Sequence, residues 1–305
     1  MNTEDTFWRE LCALLGESRV LKNEPMSRHT TFRIGGNVQY YVQPTAAQLP
    51  QVLACCRQRG LPCLVIGNGS NLLCGDLGVE GVVAEIGKPM SAVTIEGDRI
   101  RAQAGALLSG IAAKAAGAGL TGFEFASGIP GSLGGAVVMN AGAYGGEMKD
   151  VLLSADVLTP QGEVITLPAA ELSLSYRHSC VPECGYIVLG AVLQLAKGDK
   201  DAILAKMEEL RVQRTTKQPL EYPSAGSTFK RPEGYFAGKL IQDAGLRGYS
   251  CGGAQVSEKH CGFVINRDHA TSADVCTLIE EIQKQVAKQF GVQLETEIRF
   301  VGKFR

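Results

Sequence analysis

The stretch Gly67-Asn68-Gly69-Ser70-Asn71-Leu72-Leu73 directly follows the apolar run Cys63-Leu64-Val65-Ile66, which has the length and composition of a buried strand. A second glycine-dense stretch, Gly128-Ile129-Pro130-Gly131-Ser132-Leu133-Gly134-Gly135, begins about sixty residues later. Glycine tolerates positive φ and has no Cβ, so successive backbone N–H groups can approach a phosphate closely at the end of a strand. The two stretches therefore predict a large nucleotide cofactor that is held at more than one point.

Neither stretch fits the two most common glycine motifs. A Walker loop ends in Gly-Lys-Ser or Gly-Lys-Thr, and no lysine is present in either loop. A Rossmann fingerprint has a third glycine that opens a helix, and the first loop has Leu72 at that point. Tight turns between strands are the alternative interpretation of each loop taken alone.

Composition is that of an ordinary globular enzyme. The 305 residues are 45% apolar and 20% charged, with a formal net charge of −1 and no basic run longer than a pair. This balance does not favour nucleic acid or an anionic membrane as a partner. The first residues, Met1 to Asp5, lack the pattern of a secretory signal, and no apolar run approaches the roughly 18 residues of a transmembrane helix. We therefore expect a cytoplasmic protein.

The cysteines and histidines do not have the spacing of a metal site. The ten cysteines include an adjacent pair, Cys55 and Cys56, and a CxxxC pair, Cys180 and Cys184, but no CxxC. The four histidines form no HxxxH or HExxH motif. These observations predict reduced thiols that pack in the protein and no bound metal.

The chain alternates strands, hairpins and short helices up to about residue 195. A hairpin is predicted over 93–102, with Glu96-Gly97-Asp98 at its turn, and a polar helix over 201–214. The proline-bearing segment 215–223 marks a domain boundary. Apolar residues at three- and four-residue steps predict a helix over 273–290 that ends at Gly291, followed by a strand over 295–301.

Three short polar motifs lie outside the glycine loops. They contain Arg177 (Leu174-Ser175-Tyr176-Arg177-His178-Ser179), Ser227 (Ser224-Ala225-Gly226-Ser227-Thr228-Phe229-Lys230-Arg231-Pro232) and Glu297 (Leu294-Glu295-Thr296-Glu297-Ile298-Arg299-Phe300). An arginine, a serine in a Gly-Ser turn and a glutamate, far apart in sequence, suit a site assembled between domains. Each residue taken alone has another interpretation: Arg177 as a surface charge, Ser227 as a turn former and Glu297 as a polar residue of an edge strand.

Together these motifs resemble the UDP-N-acetylenolpyruvoylglucosamine reductase family, from about Asn23 to Gly302. The resemblance also rests on His29-Thr30-Thr31-Phe32-Arg33-Ile34-Gly35-Gly36 and on Asn140-Ala141-Gly142-Ala143-Tyr144-Gly145. It implies an α+β chain: a two-subdomain FAD-binding module of the vanillyl-alcohol-oxidase (PCMH) type and a smaller α+β substrate-binding domain. The implied boundaries are 1–85 and 86–214 for the two FAD-binding subdomains, with a C-terminal strand, 296–305, that returns to the first, and 215–295 for the substrate-binding domain.

The resemblance also implies a reaction. FAD, bound noncovalently, takes hydride from NADPH and passes it to the vinyl carbon of an enolpyruvyl UDP-sugar in peptidoglycan precursor synthesis. Arg177 matches the arginine that pairs with the substrate carboxylate, Ser227 the proton donor and Glu297 the assisting acid. No obligate protein partner is expected.

Binding roles follow from the same resemblance. The implied FAD contacts are Arg33, Gly67, Asn68, Gly69, Ser70, Asn71, Gly128, Ile129, Pro130, Gly131, Ser132, Gly134, Gly135 and Ala136. The implied substrate contacts are Tyr144, Lys217, Arg231 and His260. Two departures from the family pattern are visible: Arg231 stands where some members have an asparagine that contacts uracil, and no long insertion follows Arg177. The second departure resembles the lidless, type II branch of the family.

Two other functions remain open on sequence grounds. Another FAD-dependent oxidoreductase of the same superfamily would share the glycine loops without needing Arg177, Ser227 and Glu297 together. A non-catalytic nucleotide-binding protein would have no use for a proton donor. The three possibilities differ in whether NADPH bleaches the flavin and in what restores its colour.

Overall fold

The computed structural model describes residues 3–304, with side chains from residue 6 onward. Met1, Asn2 and Arg305 lie outside the described residues. The predicted ranges 1–85 and 296–305 therefore each extend beyond the described part of the chain. The same holds for the start of the N-terminal stretch in which no signal pattern was found. The helices are α1 (Thr3–Leu15), α2 (Leu49–Gln58), α3 (Leu108–Gly117), α4 (Leu133–Val138), α5 (Lys200–Lys217), α6 (Ala237–Asp243) and α7 (Ser272–Phe290).

The strands are mostly short, and several make two-residue pairs. They are β1 (Val20–Pro25), β2 (Asn37–Val42), β3 (Cys63–Ile66), β4 (Leu72–Cys74), β5 (Val79–Glu85), β6 (Val93–Glu96), β7 (Arg99–Gln103), β8 (Leu120–Thr121), β9 (Gly142–Ala143), β10 (Gly146–Glu147), β11 (Leu152–Leu158), β12 (Val164–Pro168), β13 (Ile187–Gln194), β14 (Ala196–Lys197), β15 (Ser250–Cys251), β16 (Ala254–Val256), β17 (Val264–Asn266) and β18 (Arg299–Val301). One sheet has the strand order β1-β2-β5-β3.

Several predicted elements are confirmed. Strand β3 has the predicted bounds and pairs in parallel with β5, so the first glycine loop follows the carboxyl end of a parallel strand. The β6–β7 hairpin and helix α7 are also present where the sequence predicts them. Helix α5 extends three residues beyond the predicted 201–214, to Lys217, and the C-terminal strand begins only at Arg299. The α+β class of the chain is confirmed.

The chain divides into two compact units. Unit 1 comprises residues 1–21, 41–68 and 82–214, and unit 2 comprises 22–40, 69–81 and 215–305. The three-part division predicted from the resemblance stays a prediction.

Unit 1 is built around an antiparallel five-stranded sheet with the order β12-β11-β13-β7-β6. Strand β13 is its centre, and Val188, Leu189, Ala191 and Leu193 of this strand are buried. Because successive residues of a strand point to opposite faces, their common burial shows that both faces of β13 are covered, and an almost continuous apolar sequence is stable there. Helix α4, which begins within the second glycine loop at Leu133, packs on this strand.

Unit 2 is built around α7. The Thr271 hydroxyl accepts from Asp274 N at 3.1 Å and the Asp274 carboxylate accepts from Thr271 N at 2.9 Å, which is a capping box. Asp76 accepts from the next two backbone N–H groups of the helix start. Gly291, at φ 69°, ends the helix as predicted. The apolar face of α7 packs into a core with α6, β16, β17 and Leu73 of β4.

Within residues 3–304, none of the helices is both long enough and apolar enough to cross a bilayer.

Candidate active site

The two glycine loops meet in unit 1. A Cβ added at Gly67 would overlap the Ser132 hydroxyl oxygen, so the two loops are in close contact at this point. Ser132 is 3% exposed, and its hydroxyl has no hydrogen-bond partner among the described residues. A buried hydroxyl without a partner costs free energy unless something else accepts from it. This orphaned group, next to a glycine, fits a site that a cofactor completes.

Backbone hydrogen bonds fix the second loop on its neighbours. Leu133 N donates to Ala106 O at 2.9 Å, and Gly134 N donates to Ala104 O at 2.8 Å. A Cβ at Gly134 would lie 3.0 Å from Ala104 Cβ, which is tighter than ordinary packing. Gly135, in contrast, is exposed and would place a Cβ no nearer than 4.0 Å to Ser132 Oγ. The loop is therefore rigid on one side and open at Gly135.

The rest of the predicted cradle in unit 1 is consistent with this arrangement. The Asn68 amide donates to Pro130 O at 2.7 Å, which ties the first loop to the second. Gly131 O accepts from Leu108 N at 3.1 Å, and Ala136, which is buried, donates to Ser132 O at 2.9 Å. Ile129 is half-buried.

Arg177 lies in a tight turn whose backbone is left-handed. Ser175 and His178 exchange two backbone hydrogen bonds of 3.2 and 3.1 Å, and Arg177 between them has φ 55°. Both terminal nitrogens of its guanidinium donate to Gly142 O at 3.4 Å, and the guanidinium carbon lies 5.3 Å from the centre of the Tyr176 ring. Non-glycine residues rarely adopt this conformation, and such strained residues cluster at active sites and ligand clamps.

Tyr144 is held in a similar way on the adjacent hairpin. Strands β9 and β10 pair Ala143 with Gly146, so Tyr144 and Gly145 are the two turn residues. Their φ values of 53° and 88° are those of a type I′ turn. The Tyr144 side chain is 41% exposed, so it is available to a ligand.

Asn140 links the two turns. It is 1% exposed and left-handed, at φ 41°. Its amide nitrogen donates to Glu147 at 2.7 Å and to Ser175 O at 3.0 Å, and its oxygen accepts from Lys149 N at 2.8 Å. Because all of these bonds are buried or partly buried, this side chain holds the Tyr144 hairpin and the Arg177 turn in one arrangement.

Arg214 places a second cation beside the second loop. A Cβ added at Gly128 would lie 3.0 Å from Arg214 Cδ. Burial lowers the pKa of the Arg214 guanidinium, and Tyr144 acts in the opposite direction. An arginine stays charged even after such a shift, so a partly desolvated positive charge lies beneath this loop.

In unit 2, Gly69 is required by its own neighbours. It has φ 61°, and an added Cβ would overlap the His29 carbonyl oxygen. Gly69 O accepts from Thr31 N at 3.2 Å, so the loop is fixed on the 29–36 motif. Ser70 and Asn71 follow it, and Arg33 of that motif is exposed, with φ 55°.

The backbone of unit 2 pairs the segment that contains Ser227 with the segment that contains Glu297. Glu297 N donates to Thr228 O at 2.8 Å, which places the glutamate beside the residue that follows Ser227. The Asn71 amide donates to Glu297 O at 3.1 Å, and the Thr228 hydroxyl accepts from Val264 N at 3.0 Å. Both candidate side chains are half-buried.

The predicted substrate residues of unit 2 have separate surroundings. Lys217 is exposed at the end of α5. The Arg231 guanidinium lies 4.0 Å from the centre of the Phe236 ring. His260 packs edge-on against Phe263 and accepts from Gly262 N at 3.1 Å, and burial lowers the pKa of this histidine. Their roles stay predictions.

Three residues that were not selected from the sequence also contribute to the site. Asn140, Thr228 and Arg214 act through buried hydrogen bonds or through a buried charge, which no local pattern displays. Asn140 and Thr228 lie in motifs that the sequence displays, Asn140–Gly145 and Ser224–Pro232, whereas Arg214 lies in none of them. Among the described residues, no group of three or more His, Cys, Asp and Glu side chains could hold a metal ion.

Two protein-family models match the chain. The model of an FAD binding domain matches residues 38–168, which include both glycine loops. The model of the C-terminal domain of UDP-N-acetylenolpyruvoylglucosamine reductase matches residues 218–301, which include Ser227 and Glu297.

Full-length relatives agree with both matches. A UDP-N-acetylenolpyruvoylglucosamine reductase of Agathobacter rectalis is 57% identical over 98% of this chain and 99% of its own. One of Lachnoclostridium phytofermentans is 54% identical over 96% of each chain. The crystal structure of UDP-N-acetylenolpyruvylglucosamine reductase from Thermus caldophilus has 34% identity and a TM-score of 0.80, covering 92% of this chain and 98% of that one.

The fold and the glycine cradle define a flavoprotein oxidoreductase with an FAD-binding domain. It uses FAD, with NADPH as hydride donor. The chain belongs to the UDP-N-acetylenolpyruvoylglucosamine reductase family, and its function lies in peptidoglycan precursor synthesis.

Proposed function

We propose that this enzyme reduces the enolpyruvyl group of a UDP-N-acetylglucosamine ether to the lactyl group of UDP-N-acetylmuramate, and that it does so in the cytoplasm without an obligate protein partner. Bound FAD supplies the redox chemistry by carrying hydride from NADPH to the substrate. Residues 1–85 and 86–214 hold the flavin, residues 296–305, which contain β18, complete the first of these parts, and residues 215–295 bind the sugar nucleotide.

The observation that carries the assignment is the bond from Glu297 N to Thr228 O, which supports a common site for Glu297 and for Ser227, the residue before Thr228. Negative charge develops on the substrate carbon next to its carboxylate as the vinyl carbon is reduced. The Ser227 hydroxyl donates a proton to that carbon, and Glu297 assists beside it. Serine is a weak acid, but it suffices for so basic a carbanion.

Arg177 stabilises the same developing charge. A guanidinium can bind the substrate carboxylate through two parallel hydrogen bonds. Its left-handed backbone and the anchoring of its turn by Asn140 support this role, because a fixed donor needs no reorganisation as the charge forms. Tyr144, Lys217, Arg231 and His260 are proposed to contact the rest of the sugar nucleotide.

The proposed FAD contacts in unit 1 are Gly67, Asn68, Gly128, Ile129, Pro130, Gly131, Ser132, Gly134, Gly135 and Ala136. Those in unit 2 are Arg33, Gly69, Ser70 and Asn71. To these we add Arg214, whose partly desolvated charge suits an anionic part of the cofactor. The unpaired Ser132 hydroxyl supports the assignment, since a cofactor oxygen would satisfy it.

Flavin absorbance tests the proposed reaction. Under anaerobic conditions, NADPH should bleach the protein-bound flavin, and the enolpyruvyl UDP-sugar should then restore the colour. Recovery with an alcohol or a simple sugar instead would identify another oxidoreductase of the superfamily. A flavin that NADPH never bleaches would indicate a non-catalytic protein.

Ser132→Ala tests the cradle separately from turnover. Removing an unpaired buried hydroxyl should leave the melting temperature of the FAD-free protein unchanged or higher, while FAD binding weakens by about 1 to 2 kcal/mol. The matched control is Ser179→Ala, because Ser179 is equally buried but donates to Val138 O at 2.7 Å. That variant should destabilise the FAD-free protein. Unchanged FAD affinity in Ser132→Ala would remove this hydroxyl from the cofactor site.

A further inference from the structure

One helical turn directly follows the Arg177 turn and has a cysteine at each end. Cys184 N donates to Cys180 O at 3.0 Å, the hydrogen bond of a single α-helical turn. Gly185, at φ 65°, ends it. Residues four positions apart in such a turn project from the same face, so the two thiols are neighbours.

The two thiols differ in their surroundings. Cys180 Sγ is half-buried and lies 3.5 Å from Glu171 O, whereas Cys184 is exposed. Burial and the neighbouring thiol raise the pKa of Cys180, so this thiol stays protonated at neutral pH. A reagent from solvent can reach Cys184, and a second sulfur is then beside the modified one.

Exposure distinguishes this pair from the other thiol pair of the chain. Cys56 and Cys63 are also close enough for each to shift the pKa of the other. Cys56, however, is 1% exposed on the inner face of α2, and Cys63 is half-buried in β3. Of the ten cysteines, all of which lie in the described part of the chain, Cys184 alone is exposed.

We propose that Cys180 and Cys184 form a reversible oxidation site that a peroxide closes to an intramolecular disulfide. The Cys184 thiolate attacks one oxygen of hydrogen peroxide, the O–O bond breaks and hydroxide leaves, so that Cys184 becomes a sulfenic acid. The Cys180 sulfur then loses its proton and attacks the Cys184 sulfur, the S–O bond breaks and water leaves. Two thiols are oxidised by two electrons, and one peroxide becomes two waters.

The geometry makes this disulfide easy to reduce again. Cβ atoms one helical turn apart are separated by about 5–6 Å, whereas a relaxed disulfide holds them at about 3.5–4.5 Å. The turn must therefore tighten as the bond forms, and strained, exposed disulfides are the ones that small thiols reduce readily. The site does not depend on the proposed roles of Arg177, Ser227 or Glu297.

Mass spectrometry of the purified FAD-bound protein tests the proposal. Limiting hydrogen peroxide should remove about 2 Da from the intact mass, and peptide mapping should place the first disulfide between Cys180 and Cys184. A low-molecular-weight thiol should restore the original mass. Cys184→Ser should abolish the loss, and Cys63→Ser, which breaks the buried pair, should leave it unchanged. Circular dichroism and flavin content should show both variants folded.

Two outcomes would overturn the proposal that Cys180 and Cys184 form a reversible oxidation site. The first is a disulfide that forms first between Cys56 and Cys63 in the folded protein. The second is oxidation of Cys184 to sulfinic acid, or to a mixed disulfide, without linkage to Cys180.

Discussion

The segment 140–179 of unit 1 and the segment 224–229 of unit 2 place candidate catalytic groups on the backbone in different ways. In the first, Asn140, Tyr144 and Arg177 are themselves left-handed, so the functional residues carry the backbone strain. In the second, Gly226 is left-handed at φ 79° and Ser227 follows it in ordinary geometry. A substitution in unit 1 therefore changes both side chain and backbone preference, whereas in unit 2 these two effects can be separated.

Ser227→Ala should give the largest effect and the cleanest one. It removes one oxygen from a residue without backbone strain, so fold, FAD content and reduction by NADPH should be retained. Loss of a positioned general acid costs about 10² to 10⁴ in rate. When NADPH-reduced protein is mixed with substrate in a stopped-flow instrument, the flavin should be reoxidised more slowly by this factor.

Ser227→Cys provides the control, because a thiol can also donate a proton and should recover part of the rate. A Ser227→Ala protein that NADPH reduces slowly but substrate reoxidises normally would assign Ser227 to cofactor binding instead.

Arg177→Lys should have the next largest effect. An ammonium group cannot make the two-pronged contact with a carboxylate, so flavin reoxidation by substrate should lose about 2 to 4 kcal/mol of transition-state stabilisation. Arginine and lysine have the same backbone strain at this positive φ, so the melting temperature should stay close to that of the wild type. Normal reoxidation with normal substrate affinity would exclude Arg177 from the site, and a large drop in melting temperature would show that its role is structural.

Gly226→Ala measures the backbone strain at a left-handed residue of unit 2 that is not itself a candidate catalytic residue. An added Cβ would have no atom within 4 Å, so only the left-handed conformation opposes it. We expect a loss of about 1 to 2 kcal/mol in the free energy of unfolding, measured by urea denaturation.

Gly69→Ala is the matched comparison, because Gly69 is also left-handed but its Cβ would overlap the His29 carbonyl oxygen. It should cost clearly more than Gly226→Ala. Equal losses at the two glycines would mean that the backbone around Gly69 yields easily and does not restrain the loop.

Tyr144→Asn should produce the smallest change, and a favourable one. Asparagine followed by glycine is the preferred pair for a type I′ turn, so the free energy of unfolding should rise by about 0.5 kcal/mol. Tyr144→Phe keeps the strained backbone and should leave stability unchanged. A loss of stability in the asparagine variant would show that contacts of the Tyr144 ring outweigh its backbone strain.

Local signals were enough to predict much of this protein. An apolar run ended by glycines predicted β3 and its loop, and a 3.6-residue period ended by Gly291 predicted α7, because both signals act over a few neighbouring residues. The order of the short motifs was enough to predict the family, the flavin and the reductase activity.

Other features depend on residues that are distant in the chain. The pairing of β4 with β18 and the bond from Thr228 to Glu297 join segments whose own sequences do not specify the partner. The close approach to Gly67 comes from Ser132 of the second loop, and the turn that contains Arg177 is bonded to the buried amide of Asn140. These contacts form only when burial and backbone hydrogen bonding are satisfied together over the whole fold, so tertiary structure alone determines them.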